Sequence, residues 1–88
     1  MQISVLFFGK LADAALDRFG KSSLIIDCPE SCKTLTDLRN YLSNKSDMLS
    51  DEINQPTILF SINQKICTPD QTIQSGDEVA FMSPLSGG

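Results

Sequence analysis

Apolar and polar residues alternate at the beginning of the chain in the pattern of a half-buried strand. The alternation covers residues 2–8 and has the period of two that a pleated strand imposes. Ile3, Val5 and Phe7 share one face. Phe8 therefore falls on the face opposite the predicted core.

The same period recurs near the end of the chain, in residues 78–82. Val79 and Phe81 point to one face of this predicted strand, and Met82 points to the other. If the first and last strands are neighbours in the sheet, Phe8 and Met82 form an apolar patch. Exposed patches of this kind often mark partner sites.

The stretch after the first strand has a helical period instead. In residues 10–19, Leu11, Ala15 and Phe19 recur every four positions, which predicts an amphipathic helix. Gly20 follows directly, and glycine commonly ends a helix.

A second helix is predicted to begin at Thr34. Its side chain can cap the helix together with Asp37, in a variant of the capping box. Leu35, Leu38 and Leu42 then form an apolar stripe along this helix.

The middle of the chain is less regular. Residues 44–55 are mostly polar, and we expect a connection there with no more than one helical turn. Asn63 and Gln64 separate two apolar runs, which predicts a tight hairpin. The strands predicted in this part of the chain are 23–28, 57–62 and 65–67.

The order of elements is thus strand, helix, strand, helix, hairpin, strand. This order predicts the α+β class, with two main helices on one face of a sheet. At 88 residues the chain forms a single small domain. We expect the domain to cover residues 1–82 and a flexible C-terminal tail to cover residues 83–88.

Charge and composition argue against several classes of function. The net charge is −4 with no histidine, and the seven Lys and Arg residues are scattered, which does not favour nucleic-acid binding. Without histidine the chain lacks the commonest general base, so catalysis by this chain alone is not expected. No apolar run approaches the ~20 residues that span a bilayer. We expect a cytoplasmic protein that does not bind a membrane.

The three cysteines do not suggest a metal site or a disulfide framework. Cys28, Cys32 and Cys67 are odd in number, and no C-x-x-C pair occurs. We expect them to act as small apolar residues rather than as sulfur-carrying thiols.

The tail carries the most specific chemical signal. Pro84 stiffens its base, and Leu85 and Ser86 follow. Gly87 and Gly88 have no Cβ atoms, so they can thread a channel too narrow for side chains. A carboxylate at Gly88 is inert towards nucleophiles until it is activated, and ATP-dependent adenylation is the natural activation.

Three stretches together resemble the small subunit of molybdopterin synthase, a sulfur carrier of the ubiquitin-like β-grasp type. They are VLFFGKLAD near the start, INQ at 62–64, and SGDEVAFMSPLSGG at the end. The resemblance implies a β-grasp fold with a mixed sheet of about five strands packed with two main helices.

The resemblance also implies a mechanism and its partners. A ubiquitin-activating-type adenylyltransferase would use ATP to adenylate Gly88, and a sulfur donor system would convert it to a thiocarboxylate. The tail would then enter a pocket of the large synthase subunit, which holds the catalytic residues. Two carriers in succession would supply the dithiolene sulfurs of molybdopterin to a cyclic pterin precursor. The chain would form a heterotetramer with that subunit and would hold no permanent cofactor or metal.

Partner-binding residues are predicted at the base of the tail, at Phe8, Met82 and Phe81. Family members commonly have FFPPV before the terminal glycines, whereas this chain has Met82, Ser83 and Leu85 at corresponding places. Methionine keeps an adaptable apolar contact. The loss of a proline at Ser83 is expected to loosen the base of the tail.

Three other functions remain open from the sequence. A sulfur carrier for thiamine or tRNA thiolation would share the fold and the Gly-Gly end. A protein modifier would form an isopeptide bond through Gly88. A binding module with an idle tail would tolerate deletion of both glycines.

Overall fold

A computed structural model describes residues 1–84 of the chain. Five strands and three helices make up this part of the protein. In chain order the elements are β1 (Gln2–Phe8), α1 (Lys10–Phe19), β2 (Ser23–Asp27), α2 (Leu35–Ser43), α3 (Asp47–Ile53), β3 (Leu59–Ile62), β4 (Lys65–Cys67) and β5 (Glu78–Met82).

The strands pair in the order β2-β1-β5-β3-β4. The first and last strands lie side by side and run parallel, whereas the other three pairings are antiparallel. The predicted mixed sheet of five strands is therefore confirmed. The condition for the predicted apolar patch also holds, because β1 and β5 are neighbours.

The helices cover one face of this sheet and leave the other face open. The inward residues of β1 and β5 join the buried residues of all three helices in one core cluster. On β1, burial alternates strictly along the strand, as the sequence predicted. The fully buried side chains of this core include Ile3, Val5, Leu11, Leu35, Leu38, Leu42, Leu49, Ile53, Val79 and Phe81.

Helix α1 ends as predicted. Gly20 adopts the left-handed conformation with φ of 79°, which is strained for residues that have a Cβ. Its backbone N–H donates to the Leu16 carbonyl at 2.9 Å. Gly20 therefore ends the helix with a C-terminal hydrogen bond.

Helix α2 has the predicted capping box. The Thr34 hydroxyl accepts from the Asp37 backbone N–H at 3.3 Å, and the Asp37 carboxylate accepts from the Thr34 backbone N–H at 3.1 Å. A further bond from the Lys33 backbone N–H reaches the same carboxylate at 2.9 Å. These backbone donors stabilise the ionised carboxylate and lower the pKa of Asp37 below its ordinary value.

Helix α3 corrects the prediction of a mostly irregular connection at 44–55. Ser46 caps this helix, and its hydroxyl accepts from the Leu49 backbone N–H at 3.3 Å. Leu49 and Ile53 lie one turn apart and are fully buried. Seven residues are too few for a stable isolated helix, so core packing of these two side chains stabilises α3.

The predicted hairpin joins β3 to β4. Asn63 and Gln64 both have positive φ, 51° and 70°, as a two-residue type I′ turn requires. The Asn63 side chain also donates to Asp77 at 3.0 Å and accepts from the Glu78 backbone N–H at 3.0 Å. The turn is thus tied to the start of β5.

No helix within residues 1–84 is both long enough and apolar enough to cross a membrane.

Candidate functional site

The tail leaves the sheet at the end of β5. Because β1 and β5 are parallel, both strands end at the same edge, with Phe8 paired in register to Met82. Gly9 follows one strand and Ser83 follows the other. The tail therefore starts beside the junction between β1 and α1.

Ser83 is held at this junction by three hydrogen bonds. Its backbone N–H donates to the Phe8 carbonyl at 3.1 Å, and its hydroxyl donates to the same carbonyl at 3.0 Å. The hydroxyl also accepts from the Leu11 backbone N–H at 3.0 Å. A proline at this position has neither an N–H nor a hydroxyl. The expectation that Ser83 loosens the base of the tail is therefore wrong.

Gly9 packs directly against Ser83. Its backbone has φ of 72° and ψ of −143°, a region that is essentially restricted to glycine. A Cβ at this position would lie 2.5 Å from the Ser83 carbonyl oxygen and 2.8 Å from its hydroxyl oxygen. Both the backbone angles and the contact with Ser83 thus require glycine here.

An apolar row crosses the open face of the sheet beside the start of the tail. It consists of Phe8, Met82 and Leu59, which are paired in register on three adjacent strands. Phe8 is 49% exposed and Leu59 is 50% exposed, and Met82 is half-buried. This apolar row is the surface predicted from Phe8 and Met82, extended by one strand.

Sequence reasoning missed Leu59, although a signal was present. In the predicted strand 57–62, alternation places Leu59 opposite the buried Phe60. What the sequence did not reveal was that β3 lies beside β5. That neighbourhood brings Leu59 next to Met82.

Phe81 occupies a different place from the one predicted for a partner-binding residue. Its exposed fraction is 0%. Its ring stacks on Phe7 with centroids 6.0 Å apart and meets Phe60 edge to face at 5.8 Å. Phe81 is thus a core residue whose side chain cannot contact a partner while the domain is folded.

Pro84 is the last tail residue that the structure describes, and it is exposed. The predicted site residues Leu85, Ser86, Gly87 and Gly88 lie outside the described residues.

The cysteine thiols are poorly suited to carry sulfur. Cys28 and Cys32 are buried and Cys67 is half-buried, and all three are free. Burial raises the pKa of the Cys32 and Cys67 thiols. Since the thiolate is the nucleophile, a raised pKa makes these thiols less reactive at neutral pH. Within residues 1–84, no cluster of three or more candidate ligands could hold a metal ion.

The sheet order, the parallel central pair and the covering helices define a ubiquitin-like β-grasp protein. The crystal structure of SAMP1, a small archaeal modifier protein, from Haloferax volcanii matches with a TM-score of 0.81 at 21% identity over 100% of both chains. A chain from the complex of subunits 1 and 2 of the molybdopterin-converting factor from Helicobacter pylori matches with a TM-score of 0.65 at 19% identity, again over 100% of both chains.

The chain belongs to the ThiS family, whose model matches residues 5–88. It is 30% identical to the molybdopterin synthase sulfur carrier subunit of Escherichia coli, over 98% of this chain and 99% of that protein. It is 34% identical to the human protein of the same name, over 99% and 94% of the two chains. The resemblance noted in the sequence is confirmed.

Proposed function

We propose that this chain is the small, non-catalytic subunit of a molybdopterin synthase and that its Gly88 carboxylate carries sulfur as a thiocarboxylate. One observation carries the proposal: the family match runs to residue 88, and the matched relatives of similar length are sulfur carrier subunits. The thiols within residues 1–84 are buried or half-buried, which leaves the tail as the better candidate for the sulfur-carrying group.

The proposed charging reaction has two balanced steps. The Gly88 carboxylate attacks the α-phosphorus of ATP and gives an acyl adenylate and pyrophosphate. Sulfide-level sulfur then adds to the acyl carbon, and AMP leaves with one of the original carboxylate oxygens. An adenylyltransferase and a sulfur donor system would provide the active sites. This chain would supply only the tail and a surface for docking.

Sulfur delivery in the large subunit would also take two steps. The thiocarboxylate sulfur attacks a carbon of the cyclic pterin precursor that bears oxygen, a C–S bond forms, and the C–O bond at that carbon breaks, so that the oxygen leaves as water or as phosphate. Water then cleaves the bond between the acyl carbon and sulfur, so Gly88 returns as a carboxylate. Two charged carriers in succession would supply the two dithiolene sulfurs, and the carrier could be recharged.

The geometry at the base of the tail supports this proposal. Ser83 is bonded to the body of the domain, and the five residues 84–88 can span at most about 18 Å beyond it. The apolar row of Phe8, Met82 and Leu59 flanks the starting point. A partner that binds this row would receive the tail beside its docking surface.

The test is the intact mass of the purified chain before and after incubation with ATP, a matching activating enzyme and sulfide. We expect a mass gain equal to the exchange of one oxygen for sulfur. A variant that lacks Gly88 should show no gain. The charged chain should then support dithiolene formation when it is mixed with a large subunit and the pterin precursor.

Each contrary result would lead to a different conclusion. A charged chain that supports no dithiolene formation would indicate a carrier for thiamine or tRNA thiolation. High-mass conjugates in cell extracts that disappear without Gly88 would indicate a protein modifier. If no mass gain occurs with several activating enzymes, the sulfur-carrier proposal fails.

A further inference from the structure

We propose that Ser83 is a positioning residue that caps helix α1 from the far end of the chain and so fixes the direction in which the tail leaves the sheet. This inference rests on the proposed function for its consequence in sulfur transfer. Its structural basis is independent of that function.

The first step concerns the start of α1, which has no cap of its own. The residue at the N-cap position is Gly9, and no side chain there forms a capping hydrogen bond. Side-chain oxygens at this position normally satisfy the free N–H groups of the first turn. The Ser83 hydroxyl does this instead, by accepting from the Leu11 N–H across 72 positions of sequence.

The second step concerns the hydrogen that the same Ser83 hydroxyl donates. The hydroxyl donates to the Phe8 carbonyl, which also accepts from the Ser83 backbone N–H. Both the main chain and the side chain of Ser83 are therefore fixed relative to Phe8. Phe8 belongs to the apolar row, so the start of the tail is held in a set orientation to that surface.

The third step concerns the space around this contact. Gly9 leaves room for the Ser83 carbonyl, which would lie only 2.5 Å from a Cβ at position 9. That carbonyl is the last backbone group before Pro84, and proline restricts the residue before it to extended conformations. Gly9 and Ser83 thus act as a matched pair that directs the chain into Pro84.

A tail that is already held in the correct direction should dock more tightly on its partner, but the rate of the chemical step should not change. A tail that samples several directions presents the correct one only part of the time, and apparent affinity falls by that fraction. The charging reaction should therefore show a higher KM, with little change in kcat, when the contact is lost.

The experiment compares Ser83→Ala with Ser83→Thr and Ser46→Ala. Ser83→Thr retains a hydroxyl and should behave like the wild type. Ser46→Ala is the matched control, because it removes a serine cap from α3, and Ser46 forms no hydrogen bond with Ser83 or Pro84. KM and kcat of ATP-dependent charging, the thermal unfolding midpoint and Leu11 amide exchange would be measured for each variant.

We expect Ser83→Ala to raise KM about three- to tenfold with kcat nearly unchanged. Both alanine variants should lower the unfolding midpoint, but only Ser83→Ala should speed exchange of the Leu11 amide. Equal KM values for Ser83→Ala and the wild type, or equal KM increases in both alanine variants, would overturn the positioning role.

The two proposals fail in different ways. If the wild type is never charged, the sulfur-carrier function fails. If Ser83→Ala leaves the Leu11 exchange rate unchanged, the cap itself is absent and the inference fails whatever the charging result.

Discussion

Gly9 shows how strongly one residue depends on a distant part of the chain. It has positive φ, like Gly20, but only Gly9 has a neighbour within contact distance of a hypothetical Cβ. Gly20 thus has only a left-handed backbone to disfavour a Cβ, whereas Gly9 has both a more restricted backbone region and the contact with Ser83.

We predict that Gly20→Ala lowers the free energy of unfolding by about 1 kcal/mol, because only the left-handed conformation is penalised. Gly9→Ala should cost about 3 kcal/mol, since it adds a clash to a conformation that is essentially restricted to glycine. Urea unfolding of both variants measures the difference. Equal losses would mean that neither the Ser83 contact nor the restricted backbone region of Gly9 adds to the cost of a Cβ.

Asp37 gives a prediction about pH. Backbone donors lower its pKa in the folded state below the ordinary value of 3.8, so the ionised carboxylate favours folding. This contribution is fully present above the unfolded pKa and is lost as the pH falls through the folded pKa. Asp37→Asn should be less stable than the wild type at neutral pH, and the difference should shrink in acid below pH 3.8.

Urea unfolding at a series of pH values would check this prediction, with Asp13→Asn as the control. Asp13 is exposed on α1 and forms no capping box. A stability difference for Asp37→Asn that stays constant down to the lowest pH would contradict the assignment.

At the scale of elements, α3 stands out because its stability comes from packing. Leu49 is fully buried, whereas its neighbour Met48 is 50% exposed. Leu49→Ala should cost about 2–5 kcal/mol, as large-to-small changes in cores do. Met48→Ala is the adjacent control and should change stability by less than about 0.5 kcal/mol. Similar small losses in both variants would show that α3 is not anchored in the core.

The open face of the sheet gives a prediction about binding. Phe8→Ala and Leu59→Ala should each weaken binding to the large subunit about tenfold, or about 1.4 kcal/mol. Ile25→Ala is the control, because Ile25 is 76% exposed on the same face but on the edge strand β2. Titration calorimetry would measure all three.

Equal losses of affinity in Ile25→Ala and the two other variants would assign binding to the whole sheet face rather than to the apolar row. Unchanged affinity in Phe8→Ala and Leu59→Ala would remove the row from the interface.

The elements that the sequence predicted best are those with a strong hydrophobic period and with clear residues at their ends. Helix 10–19 and strand 78–82 were predicted at the bounds that the structure has. Strand 57–62 was predicted too long, because its partner β5 ends at Met82, which pairs with Leu59. Thr57 and Ile58 therefore have no strand to pair with on that side.

In the candidate site, too, the sequence predicted some features and not others. Alternation alone placed Phe8 and Met82 on the open face. It also placed Phe81 inward, which agrees with its burial and not with a partner-binding role. The contact between Ser83 and Leu11 had no local signal, because 72 positions separate the two residues. Only the parallel pairing of β1 with β5 brings them together.

At the scale of the whole molecule, the cysteine thiols and the C-terminal carboxylate are rival candidates for the group that carries sulfur. Cys67 is the least buried of the three thiols, so it is the best candidate for a rival sulfur-carrying group. We predict that Cys67→Ser is charged to the same extent as the wild type, whereas deletion of Gly88 abolishes charging. Intact mass measures both. A loss of charging in Cys67→Ser would move the sulfur-carrying role away from the tail.

The position of β5 also has a consequence for how the protein matures. This strand is the last one along the chain, yet it lies between β1 and β3 and joins two parts of the sheet that do not otherwise pair. The β3–β4 hairpin therefore has no sheet partner until β5 inserts, and long-range pairing of this kind is slow. Correct insertion also creates the site that holds Ser83. If Ser83 directs the tail as proposed, a chain can present a correctly directed tail to another protein only after β5 has inserted into the sheet.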